Sequence, residues 1–296
     1  MSFLRIGNKG MSVHTIAKKV RISEAELKRI VQAADDGYSW ALSRMQNLEE
    51  SGFTPEDYHA VRLAIYTPLA KNGDSNAQCW LGLIADDFET SKSWYEKAAA
   101  NGNTKAMKYL ALDYYQRSDS ENEIYWYRQA AEHGDPEGMY FLALEYRTGQ
   151  SLDKNVDIAH DLLEKSAELG FPKAYAKLSE IYGYLFEEKK DDKKFLYYCR
   201  QAICSQDRDA AATAAQQLAY YYGGSIYFGR EANDHTDVQR AMYWFHQAYF
   251  FDPDDYTRDR ITEFSDKSGY VVSEEKFDKW LDENESQNFS YLPRYI

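Results

Sequence analysis

Six histidines are the side chains best suited to hold a metal or move a proton near neutral pH: His14, His59, His133, His160, His235 and His246. None lies at metal-ligand spacing from a cysteine or another histidine. Asp157-x-x-His160 places two polar groups on one helical face, which reads as a wet helix surface. Cys79, Cys199 and Cys204 form no Cys-x-x-Cys pair. Cys199 and Cys204, five apart in a helical pattern, read as small buried apolar groups rather than a redox couple. Asp86-Asp87 and Asp254-Asp255 flank helix ends, and nothing marks one of them as a general acid. Gly223-Gly224-Ser225 lacks the second glycine of a nucleophile elbow. No glycine-rich phosphate cradle occurs. These residues predict no catalytic centre, no metal and no cofactor.

The composition narrows the classes further. The 296 residues carry a net charge of −13, whereas a duplex-binding protein presents a basic footprint. This balance argues against nucleic acid as the main ligand, and it leaves room for a basic protein partner. No apolar run approaches the roughly 20 residues that span a bilayer. The first ten residues are too poor in apolar side chains for a signal peptide. A soluble, cytoplasmic protein with no membrane partner is expected. Aromatic residues are abundant, with 26 Tyr, 14 Phe and 6 Trp. Such side chains cement helix packing and anchor interfaces.

The elements that position these residues come from an internal repeat. Trp94-Tyr-Glu-Lys-Ala98-Ala99 to Gly102 matches Trp126-Tyr-Arg-Gln-Ala130-Ala131 to Gly134. Leu162-Leu-Glu-Lys-Ser166-Ala167 to Gly170 is a third copy, and Trp244-Phe-His-Gln-Ala248 a fourth with Asp252 at the glycine position. Weaker copies end at Gly37, Gly73 and Gln206. Behind each glycine a second pattern follows: Ala106, Leu110, Ala111, Tyr114; then Gly138, Leu142, Ala143, Tyr146; then Ala174, Leu178, Ser179, Tyr182. This is one helical face. The glycine suits a left-handed helix C-cap, and Pro136 and Pro172 suit the first turn of the next helix. A period near about 36 residues with two helices each means stacked helix pairs.

These residues resemble the Sel-one-like repeat family, a relative of tetratricopeptide repeats, over Ala77 to Tyr182 and in weaker form from Ala33 to Phe264. The resemblance implies an all-α, right-handed α/α superhelical solenoid of about six to seven helix pairs. Three segments are expected. Residues 1–32 form basic capping helices, residues 33–264 the solenoid with an insertion loop at 223–237, and residues 265–296 a capping helix and tail. Residues 1–30 carry +5 against −18 for the rest. Ser23-x-x-Glu26 is a capping-box pattern there.

By the same resemblance, the Ala-Leu-Tyr helix lines a concave trough. The face opposite its packing ladder then presents Lys105, Lys108, Leu112 and Tyr115 in one copy and Glu137, Tyr140, Leu144 and Arg147 in the next. Further copies add Glu180 and Tyr184, and Gln216 and Tyr220. A mixed polar, charged and aromatic row suits protein recognition. The expectation is a non-enzymatic protein-binding scaffold with one protein partner. Bacterial members of the resembled family include adaptors and immunity proteins, so a basic toxin or effector is the partner class expected. Two alternatives are a DNA-associated regulator using the N-terminal helices and an enzyme with its site near residues 222–237.

Overall fold

The computed structural model describes residues 12–183, 191–228 and 237–269. Among the described residues there are fifteen helices and no strand. The chain divides into two compact units that meet between His133 and Gly134. The first holds α1 (Val13–Lys19), α2 (Glu24–Asp35), α3 (Ser39–Glu50), α4 (Pro55–Lys71), α5 (Ser75–Leu83), α6 (Phe88–Ala100), α7 (Thr104–Gln116) and α8 (Ser120–Glu132). The second holds α9 (Pro136–Thr148), α10 (Val156–Glu168), α11 (Pro172–Tyr182), α12 (Asp192–Cys204), α13 (Arg208–Phe228), α14 (Val238–Phe251) and α15 (Asp255–Ser268).

Short-range chemistry sets the helix ends. Most helices start on a side-chain cap: Asp74, Asp87, Asn103, Asp119, Asp135, Asn155, Asp191, Asp237 and Asp254 each accept a backbone N–H of the first turn. Each such bond satisfies one of the orphan donors at a helix N-terminus. Ser23 caps α2 through the Glu26 amide. The reciprocal half of the box is absent, because the Glu26 carboxylate binds Arg44 at 3.1 Å instead. Thr54 and Asp57 form the complete box at the start of α4.

The repeat glycines do what their spacing predicts. Gly37, Gly73, Gly102, Gly134 and Gly170 all have positive φ. At Gly102 the turn closes with Gly102 N–H donating to Ala99 and Asn103 N–H to Ala98. This pair of bonds is a Schellman end. The last two copies, without glycine, turn through extended residues at Ser205 and Asp252.

The other connection in each repeat varies in length but closes on one recurrent bond. The carbonyls of Tyr114, Tyr146, Tyr182 and Tyr222 accept from the N–H of Asp119, Asn155, Asp191 and Asp237. These donors are the N-caps of α8, α10, α12 and α14. The residues between can change in number while the helix register stays fixed. The expected loop at 223–237 starts later than the sequence suggests. α13 continues to Phe228 through a kink at Gly224, and residues 229–236 lie outside the described residues.

The core follows the predicted ladder. Leu110, Leu142 and Leu178 are buried, as are Tyr114 and Tyr182, while Tyr146 is half-buried. In the first unit α1 and α2 both pack on α4. There Ile16, Leu27, Ile30 and Val31 join Val61 and Ile65 in one apolar cluster. In the second unit Leu163, Leu178, Phe195, Leu218, Trp244, Phe245 and Phe264 form a continuous core.

Candidate protein-binding face

The row predicted on α7 faces solvent. Lys105 is exposed, Lys108 is half-buried, and Leu112 and Tyr115 are 44% and 63% exposed. The buried stripe of α7, Ala106, Met107, Leu110, Ala111 and Tyr114, uses the opposite positions, so Leu112 and Tyr115 stand outside it.

The repeat register extends this row to a residue that the spacing argument passed over. Ala77, Leu81 and Gly82 of α5 occupy the positions of Ala106, Leu110 and Ala111 in α7. Leu83 therefore corresponds to Leu112, and it is 45% exposed. α5 and α7 touch directly. Two consecutive repeats of the first unit thus carry an exposed leucine at one position. The signal was present in the Leu-Gly-Leu triplet at 81–83. A further apolar group, Tyr38, Trp40 and Leu42, is exposed at the start of α3, with the Arg29 guanidinium 5.3 Å from the Trp40 ring. No repeat pattern marks those three residues.

In the second unit the predicted row is largely drawn into packing. Glu137, Tyr140, Leu144 and Arg147 are all half-buried. Tyr140 lies 5.3 Å from the Phe171 ring and 5.3 Å from that of Phe141, and burial raises its phenol pKa. Glu180 pairs with Lys177 at 2.6 Å. Gln216 lines a small depression on α13. Tyr220 is not a surface residue. It is 7% exposed, with its ring edge-on to Phe245 at 5.5 Å. The spacing from the ladder leucine places Tyr220 on the outer face of an isolated helix, but α13 is covered by both α14 and α15. Tyr184 lies outside the described residues.

Two histidine and cysteine readings change. Asp157 is exposed, but His160 is buried, with its Nε2 2.7 Å from the Tyr182 hydroxyl. That hydroxyl donates to Glu164 at 2.9 Å and accepts from Lys194 Nζ at 2.8 Å. The network ties α10 to α11 and α12. Cys199 is buried as expected, but Cys204 is exposed. Cys79 is buried, and desolvation pushes its thiol pKa up to about 11, which leaves it inert. Among the described residues no group of three or more His, Cys, Asp or Glu is placed to hold a metal, and no helix is long and apolar enough to cross a membrane.

Capped helix pairs, a Leu–small–Tyr ladder and left-handed glycine turns, with an exposed row on α5 and α7, define an all-α helix-pair repeat protein. The chain belongs to the Sel1 repeat family, whose model matches residues 76–103, 124–135, 136–171, 172–207 and 212–249. Comparison with curated protein sequences finds no match. Among solved structures, a Sel1 repeat protein from Oxalobacter formigenes is similar at TM-score 0.58 and 21% identity, covering 94% of this chain and 79% of its own. A protective antigen of uropathogenic Escherichia coli with an SLR fold aligns at TM-score 0.49 and 22% identity, covering 92% and 67%. An immunity protein from Pseudomonas aeruginosa aligns at 0.41 and 20%, covering 71% and 80%. The first of these shows a shared fold and nothing more.

Proposed function

We propose that this chain is a non-enzymatic protein-binding scaffold that engages one protein partner, in the manner of an inhibitor, immunity protein or adaptor. The observation that carries this reading is the exposed row Leu83, Leu112 and Tyr115 on adjoining helices α5 and α7. Apolar and aromatic side chains that recur at one repeat position outside the buried stripe mark a contact surface. Tyrosine is among the residue types that most often anchor interfaces. The net charge of −13 favours a basic partner, because complementary charge speeds encounter. The N-terminal helices support capping rather than DNA reading. Their apolar faces are spent on α4, and Glu24 and Glu26 stand in the first turn of α2, where they would repel phosphate.

The test is affinity capture from the source cell with wild type, Leu112→Asp and Tyr115→Ala. A partner retained by wild type and lost by both variants, with unchanged thermal melts, supports the reading. Full retention by both removes this face from consideration. With a partner in hand, the association rate should fall as salt rises.

A further inference from the structure

We propose that Asn72 is a site of spontaneous deamidation and that the fold protects Asn101, its counterpart one repeat further on; this stands independently of the scaffold reading above. Asn72-Gly73 and Asn101-Gly102 are the two Asn-Gly pairs of the sequence. Each asparagine caps the C-terminus of a helix, α4 or α6, in nearly the same backbone conformation. φ and ψ are −86° and 5° at Asn72, and −95° and 16° at Asn101. Each following glycine has positive φ, and it carries no side chain to shield its amide nitrogen.

The Gly73 amide nitrogen gives its proton to solvent base and attacks Asn72 Cγ. The Cγ–Nδ2 bond breaks, and the side-chain nitrogen takes up a proton and leaves as ammonia. Water then adds to either carbonyl of the resulting succinimide ring and opens it to aspartate or isoaspartate. Water is the only co-reactant. Ring closure needs Cβ and the glycine nitrogen on one side of the Cα–C bond, and a ψ near zero rotates them apart. The turn must therefore open before it reacts, and the cost of local opening sets the rate.

That cost differs between the two sites. At Asn101 the leaving nitrogen is held, because Nδ2 donates to Gln78 Oε1 at 3.1 Å and to the Lys97 carbonyl at 3.2 Å. Gln78 is 6% exposed, and its own amide is anchored on the Ala70 carbonyl at 3.1 Å. The Asn72 side chain is exposed and has no partner among the described residues. The helix ends differ as well. Pro68 lies in the last turn of α4 and has no N–H, so the bond from position 68 back to Ala64 is missing. α6 ends on Lys97, Ala98, Ala99 and Ala100 without such a gap. The closing bond from the Gly73 N–H to Ala70 is 3.1 Å, against 2.8 Å from Gly102 to Ala99. Conversion changes the joint that leads into α5. A carboxylate at position 72 stands at the negative end of the α4 dipole. Isoaspartate lengthens the backbone where the Asp74 N–H closes on the Leu69 carbonyl.

The test incubates the folded full chain in ¹⁸O-labelled water at mildly alkaline pH and maps its peptides by mass spectrometry, since ring opening writes a solvent oxygen into each converted residue. Label should accumulate at position 72 about tenfold faster than at position 101, the factor that two ordinary hydrogen bonds are worth. In the urea-unfolded chain the two sites should convert at comparable rates, because neither hold survives there. In the folded chain Pro68→Ala should slow conversion at position 72, and Gln78→Met should speed it at position 101. Pro68 is exposed, so Pro68→Ala keeps the comparison even where Gln78→Met does not fold. Four results overturn the proposal: equal rates at the two sites in the folded chain, faster conversion at position 101, an unchanged rate at position 72 in Pro68→Ala, or no label at position 72 while the unfolded chain converts fully. None of them touches the scaffold reading, which is tested at Leu112 and Tyr115.

Discussion

Gly82 and Tyr95 are packed more closely than any side chain at position 82 would permit. A Cβ on Gly82 would lie 2.5 Å from Cδ1 and Cε1 of the Tyr95 ring. The other repeats place Ala111, Ala143, Ser179 and Ala219 at the same position, all of them buried small residues. The repeat thus demands a small residue beside its ladder leucine, and α5 demands none at all. Gly82→Ala should push the Tyr95 ring from its site and cost roughly 1–3 kcal/mol, despite the better helix propensity of alanine. A melting temperature equal to or above wild type would show that Tyr95 moves aside freely. Combining Gly82→Ala with Tyr95→Leu should recover part of the loss, because the clash and its source are then removed together.

Asp35 is the acceptor around which α2 and α4 meet. Tyr58 and Tyr66 hydroxyls donate to it at 2.6 and 2.8 Å, and Arg62 adds its Nε at 2.8 Å and a second guanidinium nitrogen. The Arg62 guanidinium also lies over the Tyr58 ring at 3.9 Å. Burial and the neighbouring carboxylate push the Tyr58 pKa up to about 12, so Tyr58 stays a donor at any ordinary pH. Asp35→Ala should destabilise the first unit by about 3–5 kcal/mol, since it strands a half-buried cation and two hydroxyls. Urea unfolding measures this. Arg62→Gln in the same background should add little, because the partner is already lost.

Much of this fold is legible in the sequence because the repeat forces it. The ladder leucines and the glycine turns are local consequences of spacing and backbone preference. The row on α7 is legible for the same reason: among the described residues no helix is laid over Leu112 and Tyr115. The matching row on α9 has the same spacing and is half-buried, since exposure depends on what lies across from a helix rather than on the helix itself. Tyr220 shows this most clearly. Its register equals that of Leu112, but Phe245 stands against it. The hold on Asn101 joins residues of separate helices, since Gln78 stands on α5 and Asn101 at the end of α6. No periodicity within one helix encodes that meeting.

Stability should fall in mild acid through His246. This side chain of α14 is buried, and desolvation lowers its pKa to about 4. The unfolded chain titrates this group near about 6.5. Between those values the unfolded state takes up the proton and the folded state does not, so stability is full above about pH 6.5 and is lost as pH falls towards 4. The loss from this one group approaches about 3 kcal/mol at the acid end. His246→Leu should flatten the fall in melting temperature between pH 6.5 and 4.5. A variant with the same slope as wild type would place the acid sensitivity elsewhere, among the paired carboxylates Asp57 and Glu164, whose pKa values are held low.

Tyr115 and Tyr140 look alike in the sequence, since each lies opposite the packing ladder of its own helix. In the folded protein they do different work. Tyr115 is 63% exposed. Tyr140 packs on Phe171 across the connection between α10 and α11 and belongs to the margin of the second unit's core. Tyr115→Ala should change the melting temperature by less than the equivalent of about 0.5 kcal/mol, as surface substitutions do. Tyr140→Ala should cost about 1–3 kcal/mol, below the full price of a core aromatic because the ring is only half-buried. The pair is read by thermal denaturation of the two single variants. Equal melts would mean that Tyr140 contributes no packing and that the α9 row is as free to bind as the α7 row. The expected split confines a clean binding test to Leu83, Leu112 and Tyr115, where a lost interaction cannot be mistaken for a lost fold.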